Sequence, residues 1–403
     1  MLQFLVALGA ALVLALTFVR PDLCLWLWVL VLETSPDSWG MALLGREEMI
    51  ALVKGFGVML ALALACRYGA RWDKFNPALG FGAVFLAGLV HGLYPGLGLP
   101  ESLRSLIGSV APFLFGFVRL PPDIIRAARH ALLAGPLACI GLGALLVPLG
   151  LSSFCAWQDG ALRLGGSGEP PFLAAFALTA LYVTLDLHLA APRPRWVALA
   201  LLYLLIIALT GARVPLALGF AACGYVLLMR GRVMEIAAAG AAGALALIAA
   251  TPLSFVRAIA LTRLGEATDL SNRNLIWPDF TAAFARSPWL GWGLGAGKLV
   301  VPLDAPLSRL LGTNAAHNEY LRLAVEAGLL GSGLLLTLFI LWARRGTRAL
   351  PPPRRGFIRL VFLLFALHSA TDNTLIATTS SALFLWFACI FAEAGNGTRG
   401  APP

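Results

Sequence analysis

The side chains able to do acid–base or phosphate chemistry gather around one polar stretch of this sequence. Residues 251–316 interrupt an otherwise apolar chain and end in His317-Asn318-Glu319-Tyr320-Leu321. His317 stands where polar sequence turns apolar, and a neutral imidazole takes a proton from a hydroxyl near neutral pH. It is read as a general base. Arg213 falls in Leu209-Thr210-Gly211-Ala212-Arg213, between two apolar runs. A helix-end Arg often snorkels to the interface. An outer-face Arg flanked directly by membrane helices is nevertheless uncommon, and its planar fork suits a pyrophosphate. Arg273 follows Ser271-Asn272 at an expected helix start. Positive charge there opposes the helix dipole and calls for an anionic partner. Arg213, Arg273 and His317 are therefore the candidate catalytic set. Arg286, Asn318 and Tyr320 join Arg213 and Arg273 as candidate substrate-binding residues.

Other titratable groups rank lower. His368 and Asp372, near the outer end of a late helix, are second-rank candidates; His91, His130 and His188 have no comparable setting. Glu319, Arg322 and Glu326 recur at helical spacing and are expected to pair along one face. Glu326-Ala327-Gly328 reads as a close-packed turn. Arg257 and Arg263 are expected to meet lipid headgroups.

Several chemistries are excluded. Gly293-Leu294-Gly295-Ala296-Gly297-Lys298 resembles a phosphate loop, but Trp292 and Leu299 stand where Gly and Ser/Thr are needed. It is not a dinucleotide fingerprint either, because no buried strand precedes it. No Asp-x-Asp, His-Glu-x-x-His or Gly-x-Ser-x-Gly occurs. Six cysteines stand singly, without metal-ligand spacing, so neither zinc nor disulfides are expected. No metal or other cofactor is expected.

These residues must be positioned by membrane helices. The chain has 403 residues, 59% hydrophobic and 12% charged, with a mean hydropathy of +0.84. A soluble domain carries roughly a quarter of its residues as charges. Apolar runs approach the ~20 residues needed to cross a bilayer. The predicted class is all-α: a polytopic integral membrane protein of about 12 transmembrane helices, with one long loop, residues 251–316, holding short helices. The net charge of +10 is almost wholly Arg. Its clusters at Arg67/Arg71/Lys74, Arg119/Arg126/Arg129, Arg193/Arg195, Arg230/Arg232 and Arg344–Arg355 mark cytoplasmic loops rather than a nucleic-acid surface. The loops at 34–48, 95–102, 151–170, 210–213, 251–316 and 371–373 then lie outside. Residues 1–33 hold two runs split by Arg20-Pro21-Asp22; two crossings would make thirteen helices, and one crossing, broken near Pro21, makes the preferred twelve, the first run being retained rather than cleaved. Segments 103–119 and 196–210 are short for a span and are expected to tilt or break.

Within the long loop, Leu275, Ile276, Phe280 and Phe284 have helical spacing, Ser287-Pro288 stops the helix, and Gly291, Gly293, Gly295 and Gly297 make a flexible turn. Leu303–Leu311 is expected to be a short amphipathic piece. The whole chain, 1–403, is read as a single membrane domain.

The pattern resembles a known family. His317-Asn318-Glu319-Tyr320-Leu321 followed by Glu326-Ala327-Gly328-Leu329-Leu330-Gly331 is similar to the signature of the O-antigen ligase and O-antigen polymerase superfamily. Arg273 with Trp277, Pro288-Trp289-Leu290-Gly291-Trp292-Gly293 and Thr210-Gly211-Ala212-Arg213 resemble its remaining motifs, although Ala212 often has Ser in its place. The likeness covers about residues 205–335. It implies a metal-independent, inverting glycosyltransferase of the bacterial inner membrane, working on its periplasmic face. The donor would be an undecaprenyl-diphosphate-linked glycan. Arg213 and Arg273 would hold its diphosphate, and His317 would be the base for the acceptor hydroxyl. An O-antigen ligase with lipid A–core as acceptor is the preferred member. A polymerase and a protein O-oligosaccharyltransferase are the alternatives within the superfamily. A lipid-linked glycan transporter is the alternative of another class, disfavoured because the notable charges lie at one face rather than in a midplane cavity.

Overall fold

The computed structural model describes residues 15–40, 45–158, 161–231, 275–311 and 313–397. Most of the first apolar run, the run at 235–250, Arg257, Arg263, the Ser271-Asn272 cap and Arg273 lie outside the described residues. Among the described residues, five helices are long and apolar enough to cross a membrane. They are α3 (Arg46–Tyr68), α6 (Pro122–Leu146), α7 (Pro170–Ala190), α12 (Glu319–Gly346) and α14 (Thr378–Gly397). Three shorter apolar helices, α4 (Pro77–His91), α8 (Pro194–Thr210) and α9 (Arg213–Met229), pack among them. The others are α1 (Pro21–Glu33), α2 (Pro36–Trp39), α5 (Leu99–Val110), α10 (Trp277–Arg286), α11 (Pro306–Leu311) and α13 (Pro352–Ser369).

Proline sets many of the starts. It occupies the first or second position of α1, α4, α6, α7, α8 and α13, where its missing N–H costs nothing and its φ is already helical. The run 103–119 is interrupted as expected. Helix α5 stops at Val110 and a 3-10 helix, Ala111–Phe117, continues. Helices α7 and α14 are mostly buried and form the centre of the bundle, whereas α3, α6 and α12 turn much of their surface outward. An aromatic block of Phe113, Phe339, Trp342, Phe362, Phe384, Phe387 and Phe391 joins α12, α13, α14 and the 3-10 helix. All six cysteines are free.

One element departs from the all-α expectation. Strands β1 (Phe154–Gln158) and β2 (Ala161–Gly166) pair antiparallel. The Asp159-Gly160 pair between them is a strong hairpin signal in the sequence.

The bundle has two chemically distinct ends. At one, Arg354 at the start of α13 grips Asp186 through two hydrogen bonds of 2.7 and 2.9 Å. It also reaches Glu393, which Arg129 holds at 2.6 Å. Arg126, Arg195 and Trp196 line the same cleft. This end gathers the basic clusters. Helix α8 begins there and runs away, so residues 210–213 lie at the opposite end. Helix α13 runs the same way and finishes near Asp372.

Candidate active site

At the opposite end, the described part of the long loop builds a small core of its own. Ile276, Phe280, Ala283, Ala296, Val301, Ala316 and Val325 bury one another. Of the apolar residues with helical spacing, Ile276 and Phe280 are buried and Leu275 is exposed, while Ala283 joins the core. Helix α10 begins at Trp277 with Pro278 in its first turn and ends at Ser287. Proline starts this helix rather than kinking it. Leu303 and Leu310 are strongly exposed around the short α11, as expected of a surface-lying piece.

The glycine run is fixed rather than flexible, and its partner is a break in α12. Gly328 adopts φ 60° and ψ −169° inside that helix, a region open to glycine alone. The break frees backbone groups on both sides. Trp292 and Gly293 donate their N–H groups to the Val325 and Glu326 carbonyls, and the Leu329 and Leu330 N–H groups donate to Pro288 and Trp289. A helix break inside apolar surroundings is tolerable only when such partners are supplied. The Pro288–Gly293 motif and the Glu326-Ala327-Gly328 motif are thus two halves of one joint.

That joint fixes the start of α12. Arg322 lies between Glu319 and Glu326 and hydrogen-bonds both, with all three side chains buried. This is the pairing expected from their spacing. Glu319 also accepts the Leu375 N–H at 3.4 Å, which ties the loop between α13 and α14 to α12.

His317 sits just before α12 with φ 46°, a left-handed conformation that costs a non-glycine residue about 1–3 kcal/mol. Trp277 Nε1 donates to the Ala316 carbonyl at 3.0 Å, and Asn314 Nδ2 to the Lys298 carbonyl at 2.8 Å. These anchor the chain leading to the histidine. Its Nδ1 lies 3.2 Å from Asp372 Oδ1 and its Nε2 lies 3.3 Å from Thr313 Oγ1. Burial alone would raise the Asp372 pKa. The His317 hydrogen bond and charge, the His368 ring and the Asn373 N–H outweigh it and hold the carboxyl below its ordinary range. An ionised Asp372 fixes the proton on Nδ1 and leaves Nε2 as the basic atom.

The other candidates divide. Arg213 opens α9 at this same end, after Thr210 and the left-handed Gly211 (φ 68°) close α8. Leu218, five residues on, shares a small cavity with His368 and Asp372. Arg286 stacks over Tyr94 and Trp292 and donates to the Tyr94 hydroxyl at 3.1 Å. Asn318 caps α12, accepting the Tyr320 and Leu321 N–H groups at 3.0 and 3.2 Å. Tyr320 donates to the Ala366 carbonyl at 2.8 Å, joining α12 to α13. These three make their described contacts within the protein. His317 and Asp372 meet across 55 residues. The only sequence signal for Asp372 was its place beside an outer helix end. Thr313 had none.

His317 is thus a histidine whose ring a carboxylate holds, at the same end of the bundle as the α9 start that carries Arg213. Residues 198–336 match the O-antigen ligase family model, so the resemblance read from the motifs holds across that segment, which carries Arg213, His317 and the α12 break. No curated protein matches the chain.

Proposed function

We propose that this chain transfers a glycan from undecaprenyl diphosphate to a sugar hydroxyl of lipid A–core, as an O-antigen ligase in lipopolysaccharide assembly. It sits in the bacterial inner membrane with about twelve crossings and its active site on the periplasmic face. The observation that carries this reading is the His317–Asp372 pair, placed at the same end of the bundle as Arg213, opposite the basic end. The positive-inside rule makes that basic end cytoplasmic.

The acceptor hydroxyl gives its proton to His317 Nε2 while its oxygen attacks the anomeric carbon. The bond from that carbon to the diphosphate oxygen breaks, and undecaprenyl diphosphate leaves with the electron pair. Arg213 and Arg273 stabilise the growing charge on the leaving group, which two guanidinium groups do without a metal. One direct displacement inverts the anomeric centre.

A second reading rests on Thr313. A hydroxyl, an imidazole and a carboxylate in a row also suit nucleophilic catalysis, which would retain configuration. The test is purified protein with a lipid-linked glycan, lipid A–core and chelator. Glycan on lipid A–core with an inverted linkage supports the proposal. Longer lipid-linked chains select a polymerase, and a retained linkage selects the Thr313 route.

A further inference from the structure

Next to the His317–Asp372 pair lies a cavity of about 640 Å³ that the transfer chemistry above does not use. Asn314, Ala315 and Ala316 line it on one side and Asn373 on another, so it begins where the pair ends. Lys54, Arg104, Lys298 and Arg322 also line it. Arg322 is matched by Glu319 and Glu326, while Lys298 and Arg104 share Glu101 at 3.1 and 3.8 Å. Lys54 has no carboxylate partner among the described residues. Its ammonium donates to the Ile376 carbonyl at 2.8 Å, and Lys298, Arg322 and Arg104 are its charged neighbours. Glu326 lines the cavity as well, so the other three cations are already matched and Lys54 brings the charge that has no carboxylate beside it, which an entering anion would balance. Ser105 Oγ and Asn373 Oδ1 are buried at the same wall without a hydrogen-bond partner.

The cavity has an apolar continuation. A groove of about 420 Å³, lined by Phe18, Val58, Met59, Leu62 and Cys66 among others, shares Gly55 and Ile107 with it. From Gly55 to Cys66 the groove follows α3 for about 16 Å, roughly one leaflet of a bilayer core. A polar chamber with one unmatched ammonium, opening into an apolar trough, fits an anionic headgroup attached to hydrocarbon chains.

We propose that this cavity and groove seat the acceptor, a glycolipid whose headgroup carries phosphate. The inference rests on the transferase reading, which gives Arg213 and Arg273 the donor diphosphate. In-line displacement brings the attacking oxygen from the side opposite the leaving group. The small cavity that Leu218 shares with Asp372 and the Lys54 cavity have no lining residue in common, and they meet the same loop at the adjacent residues Asp372 and Asn373, which gives donor and acceptor separate spaces.

The test measures lipid affinities of the full chain in phosphatidylcholine nanodiscs. The probes are bisphosphorylated lipid A, the same lipid with its phosphates removed, and undecaprenyl diphosphate. Losing one charge-assisted contact weakens binding by about tenfold or more. Lys54→Gln is expected to weaken bisphosphorylated lipid A by that factor and leave undecaprenyl diphosphate unchanged, which also shows that the variant is folded. Gly55→Leu fills the trough, since a Cβ there meets nothing within 4 Å, and should weaken lipid A in the same way. Dephosphorylated lipid A should bind wild type no better than bisphosphorylated lipid A binds Lys54→Gln. Unchanged lipid A affinity in Lys54→Gln, equal loss for both lipids, or indifference to the phosphates would each overturn the proposal. The transferase reading is judged separately. Lys54-dependent lipid A binding without any glycan transfer would remove that reading and leave the lipid site. Transfer with a lipid A KM indifferent to Lys54 would do the reverse.

Discussion

His317 Nδ1 and Asp372 Oδ1 lie 3.2 Å apart, although one precedes α12 and the other follows α13. The contact gives a lone histidine at a helix start a carboxylate that fixes its ring. It depends on Glu319, which accepts the Leu375 N–H and so holds the Asp372 loop against α12.

Asp372→Asn keeps the shape but loses the acceptor that fixes the Nδ1 proton. Glycan transfer should fall by on the order of a hundred- to ten-thousandfold, with donor affinity little changed. The pH dependence has a defined sign. Asp372 titrates below its ordinary value when folded. The pair's contribution to stability is therefore present above the unfolded carboxylate pKa of about 3.9 and is lost as pH falls through the lower folded value. Thermal midpoints of wild type and Asp372→Asn should differ at pH 7 and converge as pH falls below the ordinary carboxylate range.

Thr313→Val separates the two chemical routes. Thr313 Oγ1 lies 3.3 Å from His317 Nε2, where an acceptor hydroxyl is expected. If His317 acts as base on the acceptor, the variant retains transfer within about tenfold, a weaker effect than loss of an acid–base group. Complete loss together with a retained linkage would assign Thr313 as nucleophile.

Gly328 and Gly333 form a matched pair on α12. A Cβ at Gly328 would come within 2.4 Å of the Trp289 backbone, at φ 60°, whereas a Cβ at Gly333 meets nothing within 4 Å. Gly328→Ala should cost more than about 3 kcal/mol by combined strain and clash and yield little monodisperse protein. Gly333→Ala should be neutral or stabilising by up to about 1 kcal/mol. Size-exclusion profiles and thermal midpoints report both.

Arg322→Met strands two buried carboxylates. Removing one partner of a buried ion pair costs about 3–5 kcal/mol, so the variant should unfold at a clearly lower temperature. Replacing all three of Glu319, Arg322 and Glu326 with apolar residues of similar volume should recover much of that loss.

Local patterns were legible in the sequence and long-range pairings were not. The Glu319–Arg322–Glu326 ladder follows from spacing within one helix, and the interruption after Val110 follows from a short apolar run. Asp372 gave only its place beside a helix end, because its meeting with His317 is made by packing α12 against α13 and α14. The glycines from Gly291 to Gly295 looked flexible for a similar reason. Their rigidity comes from carbonyls and N–H groups exposed by a break in another helix. Lys54 carries no signal in the sequence, because its setting is made by Arg104, Lys298 and Arg322 from three other segments.

The most direct test of the central claim is glycan transfer by His317→Ala, measured with purified protein, lipid-diphosphate-linked glycan and lipid A–core. Binding of the donor is followed in parallel. The account predicts transfer lost by at least about a hundredfold with donor binding preserved. Wild-type transfer by His317→Ala would contradict it.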